Sequence, residues 1–228
     1  MKTILCYGDS NVWGSVANDS ETTDPSLRYG EHVRWTSVLA DALSPDYRVI
    51  EEGLCGRTTI YSVKAEAYKQ GDAYLLPCLM SHRPIDLVTL MLGTNDLRLI
   101  YKADREHPEK GISQLIDIIK GCPGCGAGAV VPRILLISPI LITRPTGRQD
   151  YFLARGGDEC IMYVKRFAAA YAKVAQEKGC YFLDAALYGE PDPADGMHLT
   201  RPSHLRLGRA VADKVEEIFK NAEETPVS

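Results

Sequence analysis

The 228-residue chain lacks any apolar stretch close to the ~20 residues that a membrane-spanning helix needs. It also lacks a basic tract, since 26 Lys and Arg stand against 30 Asp and Glu and give a formal net charge of -4. This balance argues against nucleic acid and anionic membrane surfaces as partners. The apolar run in residues 1–7 is too short for a secretory signal, so we expect a cytoplasmic protein. Internal repeats and low-complexity segments are missing, and we expect one domain over residues 1–228.

The seven cysteines form no metal-binding pattern. They are scattered and odd in number, which favours free thiols in a reducing compartment. Cys122 and Cys125 form a single CxxC sequence, which in other contexts is redox-active or half of a zinc site. No second CxxC or nearby histidine pair would complete a metal site, and the Gly/Pro-rich loop offers no helix N-terminus that would lower a thiol pKa. We therefore predict no metal and assign this sequence no function.

Short apolar runs alternate with amphipathic segments along most of the chain. The apolar runs predict buried strands at residues 3–7, 47–51, 86–92, 133–138 and 180–183. The amphipathic segments predict helices at residues 32–43, 108–120, 158–178 and 201–219. This alternation predicts an α/β fold in which helices cover both faces of a five-stranded parallel sheet. The walls of any site at the sheet edge are then expected from the longer connections, residues 15–31, 59–72 and 141–157.

Polar and glycine residues follow the predicted strands at or just beyond their carboxyl ends. Ser10 follows the first strand, Gly56 the second and Asn95 the third, while Asp195 and His198 follow the fifth. Because the carboxyl ends of parallel strands meet at one edge of a sheet, we expect these residues to lie close together. Taken singly, each is explained by a helix cap or a turn. Their joint placement is what indicates a site.

Together these residues supply the groups that a serine esterase needs. Ser10 is the predicted nucleophile and His198 the predicted general base. Asp195 lies three residues before the histidine in a Gly-containing turn, a spacing that lets its carboxylate reach and orient the imidazole. The N–H groups of Ser10 and Gly56 and the side-chain amide of Asn95 are predicted to form the oxyanion hole.

The order of these residues resembles the SGNH hydrolase superfamily, also called GDSL-type esterases. Ser10, Gly56, Asn95 and His198 match its four named positions, Asp195 matches its triad acid, and the similarity covers residues 3–219. Further matches resemble its bacterial arylesterase/acyltransferase branch, at residues 33–36, 50–54, 57–59 and 91–96. The resemblance implies a flavodoxin-like, three-layer α/β/α fold and hydrolysis of short-chain, above all acetyl, esters without a metal or cofactor. It also implies acyl transfer to alcohols or peroxide and a homo-oligomer.

One position departs from the family pattern. Asn11 follows the serine, where the family usually has leucine. We expect this change to affect the packing of the next turn and the choice of substrate, and to leave the catalytic assignment intact. Trp13 and Met197 flank the nucleophile and the base in sequence and are predicted to line the substrate pocket, although large apolar residues also commonly belong to the core.

Several substrates are compatible with the same residues. A carbohydrate O-acetyl esterase acting on acetylated oligosaccharides, a thioesterase or a lysophospholipase would use the same triad. A carbohydrate-binding or scaffold protein on the same fold is the non-enzymatic alternative. The partner that we expect is a small ester substrate.

Overall fold

Five parallel strands form one sheet in a computed structural model, which describes residues 1–17 and 27–223. The order across the sheet is β2-β1-β3-β4-β5. The strands are β1 (Lys2–Gly8), β2 (Tyr47–Gly53), β3 (Leu87–Met91), β4 (Arg133–Ser138) and β5 (Tyr181–Asp184). Every predicted strand is present. The strand order reverses between β1 and β3, which is where ligands bind in sheets of this topology.

Helices cover both faces of the sheet. Helices α2 and α8 pack together on one face, and α3, α4 and α7 lie on the other. The helices are α1 (Ser10–Trp13), α2 (Trp35–Leu43), α3 (Gly71–His82), α4 (Glu109–Lys120), α5 (Gln149–Leu153), α6 (Asp158–Val164), α7 (Phe167–Glu177) and α8 (Arg201–Glu223). Helices on both faces of a parallel sheet confirm the predicted three-layer α/β/α fold. None of the helices in the described part of the chain is long and apolar enough to cross a membrane.

Two apolar cores, one on each face of the sheet, explain why β1 and β3 are largely apolar. Along β1, Leu5 and Tyr7 belong to the core beneath α3, α4 and α7, whereas Ile4 and Cys6 belong to the core beneath α2 and α8. All four are fully buried. Successive side chains of a strand point to opposite faces, so a strand covered on both sides needs apolar residues at each position. The polar chemistry is thus left to the loops at the strand ends.

Several helices differ from the sequence prediction, and α5 lies within the predicted connection at residues 141–157. The helix predicted at residues 158–178 is divided into α6 and α7 by a turn, in which the Arg166 N–H donates to the Tyr163 carbonyl at 3.0 Å. The apolar periodicity continues across this turn and does not reveal it. The sequence does not predict α3 because Pro77 lies inside it, and proline usually marks a helix boundary. The helix predicted to begin at residue 32 begins at Trp35.

Cys122 and Cys125 form a disulfide just after α4, so the expectation of free thiols is wrong for this pair. The Cys125 N–H donates to the Cys122 carbonyl at 3.1 Å, and this turn brings the two Cα atoms to 5.6 Å. Spacing alone does not show whether a CxxC loop makes such a turn. Cys6 and Cys160 are buried free thiols, as expected, and Cys180 is half-buried.

Candidate active site

Ser10 lies at the tight turn between β1 and α1. It is the first residue of the helix, and the Asp9 carboxylate caps that helix by accepting the Asn11 N–H at 2.9 Å. Gly8 allows the turn because a Cβ there would come within 2.2 Å of the Val12 side chain. The turn thus presents the Ser10 hydroxyl at the carboxyl edge of the sheet.

The structure brings Ser10, His198 and Asp195 into one hydrogen-bonded series. The Ser10 Oγ lies 2.9 Å from His198 Nε2, and His198 Nδ1 lies 2.5 Å from Asp195 Oδ2. The second carboxylate oxygen of Asp195 accepts the backbone N–H groups of Met197 and His198, both at 2.9 Å. Burial raises the pKa of Asp195, but the hydrogen bonds and the charge of His198 outweigh burial and leave this pKa below its usual value.

A histidine–carboxylate pair is not by itself diagnostic in this molecule. His32, His82 and His107 also contact carboxylates, at 2.6, 2.8 and 3.0 Å. In the described residues only His198 contacts both a carboxylate and a serine hydroxyl. The three-membered series therefore distinguishes this histidine from the others.

Asn95 follows β3 in a short 3₁₀ turn, and both ends of its amide are fixed. Its Nδ2 donates to the Arg57 carbonyl at 3.1 Å, and its Oδ1 accepts from Arg155 Nη2 at 2.9 Å. A carboxamide nitrogen carries two N–H groups, so one remains to face the cavity that Asn95 lines. The turn depends on Gly93, whose φ of 128° is unfavourable for other residues. A Cβ there would also lie 2.3 Å from the Tyr171 Oη.

Arg155 is a site residue that the sequence analysis missed. It follows α5, is only 5% exposed and donates to Asn95 Oδ1 and, at 3.0 Å, to the Tyr151 carbonyl. In the described chain its side-chain hydrogen bonds go to these two neutral oxygens and none to a carboxylate, and its Nε has no hydrogen-bond partner. Burial, together with the charge of Arg98, lowers the pKa of Arg155 to about 10. An arginine in a connection is usually solvent-exposed, and no sequence signal distinguished this one.

The remaining predicted oxyanion donors are the backbone N–H groups of Ser10 and Gly56. Both residues line the same cavity as Asn95 and His198. Among the described residues, no protein acceptor takes either N–H group. Gly56 has a φ of 80°, and a Cβ at this position would lie 3.1 Å from the Lys69 side chain. Both donors are thus available to a ligand.

A cavity of about 470 Å³ opens beside the Ser10 hydroxyl. All three connections that were expected to form walls contribute residues, although residues 18–26 of the first lie outside the described part of the chain. Trp13 and Met197 both line the cavity, and Met197 also belongs to a core cluster. The cavity is therefore enclosed by the loops and short helices that connect the strands, rather than by the strands themselves.

Charged side chains form part of the cavity wall. Glu66 accepts from Lys69 and from Arg98, both at 2.8 Å. Partial burial raises the pKa of Glu66, but the hydrogen bonds from Lys69, Tyr101 and Arg98 outweigh it and lower the value to about 2. Arg148 pairs with Asp150 through two hydrogen bonds, at 2.9 and 2.7 Å. These groups make the outer wall polar, while the pairing neutralises most of its charge.

Two buried carboxyl groups lie behind the site. Burial raises the pKa of Asp9 to about 6 and that of Asp96 to about 7. Asp96 accepts the N–H of Thr59 at 2.9 Å and its hydroxyl at 2.6 Å, which ties the connection after β2 to the turn that carries Asn95. Their hydrogen bonds indicate that both carboxyl groups hold loops in place.

A second cluster of potential metal ligands lies away from this cavity. Ligand atoms of Glu52, Cys78 and His82 lie within 4.8 Å of one another, in a search restricted to the described residues. His82 Nε2 already contacts Glu52 at 2.8 Å, and burial raises the pKa of the Cys78 thiol to about 12. Glu52 and His82 thus already pair with each other beside a neutral thiol. The expectation of no metal stays a prediction.

A serine, a histidine and an aspartate in hydrogen-bonded series at the carboxyl edge of a parallel sheet form the arrangement that serine hydrolases use. Residues 6–205 match the GDSL-like lipase/acylhydrolase family, and the chain belongs to this family within the SGNH hydrolases. The protein is therefore a carboxylic ester hydrolase, which agrees with the resemblance seen in the sequence.

Solved structures of two esterases are similar over nearly the whole chain. The native M. smegmatis aryl esterase is 34% identical with a TM-score of 0.86, covering 95% of this chain and 99% of its own. Est24, a carbohydrate acetylesterase from Sinorhizobium meliloti, is 32% identical with a TM-score of 0.88, covering 96% and 100%. A lipolytic G-D-S-L family protein from Veillonella parvula, at 14% identity and a TM-score of 0.63, shares the fold. A search of curated proteins finds no match.

Proposed function

We propose that this esterase hydrolyses short-chain esters, acetyl esters above all, through an acyl-enzyme on Ser10. The observation that carries the proposal is the series from Ser10 through His198 to Asp195, which opens into the cavity. Ser10 Oγ attacks the ester carbonyl while His198 Nε2 takes its proton, and Asp195 stabilises the resulting imidazolium. His198 then protonates the leaving alcohol and afterwards activates water against the acyl-enzyme.

The tetrahedral intermediate needs donors for its negative oxygen. The free N–H groups of Ser10 and Gly56 and the second amide N–H of Asn95 fill this role in our proposal. Losing one donor of this kind typically lowers turnover by about 10²–10³. Met197 offers no side-chain donor and Trp13 offers only its indole N–H on a large apolar ring, so we assign both to the wall that contacts the acyl or alcohol group.

The charged outer wall favours acetylated carbohydrates as a second candidate substrate class. Glu66, Lys69, Arg98, Arg148 and Asp150 offer hydrogen bonds to sugar hydroxyl groups and would have to be desolvated by a long acyl chain. The similarity to a carbohydrate acetylesterase supports acetyl esters, and the similarity to an aryl esterase supports ester hydrolysis. Acyl transfer to alcohols or peroxide would use the same acyl-enzyme and remains part of the proposal.

The test compares Ser10→Ala with the wild-type protein in the hydrolysis of p-nitrophenyl acetate, butyrate and octanoate, and of acetylated sugars. Ser10→Ala should abolish hydrolysis and labelling by a fluorophosphonate probe. Ser138→Ala is a suitable control, because it removes a buried hydroxyl that bonds Asp184 at 2.8 Å outside the cavity. Substantial hydrolysis by folded Ser10→Ala would show that the nucleophile is misassigned. Rates that rise with chain length would contradict the acetyl preference.

The assembly and location of the protein stay predictions. The family resemblance led us to expect a homo-oligomer and the sequence a cytoplasmic protein. Light scattering at micromolar concentration measures the oligomeric state directly, and a monomer at that concentration would refute the expected homo-oligomer.

A further inference from the structure

Asn11, the residue that departs from the family pattern, contacts both neighbours of His198. Its side chain is almost fully buried, at 2% exposure. The Nδ2 group donates to the carbonyl of Met197 at 3.2 Å, and Oδ1 accepts the N–H of Leu199 at 2.9 Å. A single amide thereby bonds to the residue before the histidine and to the residue after it.

The backbone of Asn11 is itself held on both sides. Its N–H donates to the Asp9 carboxylate at 2.9 Å, and its carbonyl accepts from the Trp35 indole Nε1 at 3.0 Å. Trp35 is fully buried at the start of α2. Because Asn11 directly follows Ser10 on α1, its amide connects the helix that carries the hydroxyl with the loop that carries the imidazole.

We propose that Asn11 is a positioning residue that fixes the imidazole of His198 relative to the hydroxyl of Ser10. The inference rests on the proposed function, in which these two groups exchange a proton. Ser10 and His198 lie 188 positions apart and meet at 2.9 Å, so their alignment depends on contacts between α1 and the loop. The Asp195 side chain orients the histidine from within that loop, whereas Asn11 orients the loop against the nucleophile's helix.

A leucine at this position has the same branching and the same number of side-chain non-hydrogen atoms, but it is bulkier and has no hydrogen-bonding group. Asn11→Leu would therefore leave the Met197 carbonyl and the Leu199 N–H without their side-chain partner. Because the position is buried, the loss of these hydrogen bonds is costly. The loop is expected to shift until these groups find others, and the histidine moves with it. A displacement well under the length of a hydrogen bond is enough to weaken proton transfer.

The first test measures Asn11→Leu with p-nitrophenyl acetate and follows hydrogen exchange of the Leu199 amide. We expect kcat to fall about tenfold or more with KM little changed, and the Leu199 amide to exchange faster than in the wild-type protein. Ser138→Ala, which also loses a buried hydrogen bond, should keep both values. Wild-type kcat in folded Asn11→Leu would overturn the inference, as would an equal loss of kcat in the control.

Asn11→Asp provides a second test that does not depend on the leucine variant folding. The new carboxyl accepts the Leu199 N–H at any pH but donates to the Met197 carbonyl only when it is protonated. The ratio of its kcat to the wild-type kcat should therefore rise as the pH falls, and a ratio independent of pH would overturn the inference. Failure of the proposed function would be recognised independently, because Ser10→Ala would then retain hydrolysis. Hydrogen exchange of the Leu199 amide tests the role of Asn11 without requiring any catalytic activity.

Discussion

Replacing Arg155 by methionine tests whether the proposed oxyanion hole depends on a buried cation. Arg155 donates to the amide oxygen of Asn95 at 2.9 Å, and its hydrogen bonds in the described chain include none to a carboxylate. Methionine fills a comparable space without a donor. The Asn95 amide would then lose the contact that keeps its oxygen turned away from the cavity, and only its bond to the Arg57 carbonyl, at 3.1 Å, would orient it.

The expected loss of activity follows from this one contact. A hydrogen bond from a charged donor contributes about 1.5–3 kcal/mol, and about 1.4 kcal/mol corresponds to a factor of ten in rate. We therefore expect kcat of Arg155→Met to fall about 10- to 100-fold, less than the ceiling of about 10²–10³ for a donor that is lost completely. Stability should change by no more than ~2 kcal/mol, because removing an unpaired buried charge offsets the lost hydrogen bonds.

Steady-state hydrolysis of p-nitrophenyl acetate and urea unfolding measure the two effects. Since the Asn95 amide that Arg155 orients is proposed to contact the transition state, kcat and kcat/KM should fall together. Arg34→Met is the matched control: Arg34 is another buried arginine, 7% exposed, that pairs with Glu51 at 2.9 Å outside the cavity. It should lose stability and keep its kcat. Wild-type kcat in Arg155→Met, or an equal loss in the control, would refute the reasoning.

Three further predictions concern the groups around the site. Asp195→Asn should lower kcat by about 10⁴, because an amide donor facing Nδ1 forces the His198 tautomer whose Nε2 cannot accept a proton; near-normal hydrolysis would contradict this. The pKa of Asp96, about 7 when folded, exceeds its unfolded value, so this group makes stability fall as the pH rises from about 4 to 7. Urea unfolding at pH 5 and at pH 8 measures this, and Asp96→Asn should lose less stability than the wild-type protein between these two pH values. An identical loss in both proteins would contradict the raised pKa of Asp96. Gly93→Ala should cost about 2 kcal/mol or more, since its Cβ would meet the Tyr171 hydroxyl, and unchanged urea unfolding would argue against the strained turn.

The strands were the most predictable part of the fold. A strand covered on both faces needs apolar residues throughout, so β1 and β3 stand out as uninterrupted runs. Helices were less predictable. Pro77 concealed α3, and the turn after α6 left the apolar periodicity unbroken. A hydrophobic pattern records which side of a segment is buried and says little about where its hydrogen bonds are interrupted.

The residues of the candidate site also differ in how far the sequence predicts them. Ser10, Gly56 and Asn95 were predictable because each follows a strand, and the carboxyl ends of parallel strands share one edge. Arg155 was not predictable. It lies in a connection without hydrophobic periodicity, and its role depends on a contact with the Asn95 amide, 60 positions earlier in the chain. Asn11 was noticed only as a departure from a pattern, and its partners became visible only once the loop after β5 was folded against α1.

The sequence by itself determined the order of strands and helices, the apolar faces that pack them, and the candidate nucleophile, base and acid. These features are local, because they depend on residue type and on spacing along the chain. Only the tertiary structure decided which side chains hold those groups in place, since the amide of Asn11 and the guanidinium of Arg155 act on residues distant in sequence. The cavity beside Ser10 was likewise decided by three loops whose shapes come from packing against the rest of the fold.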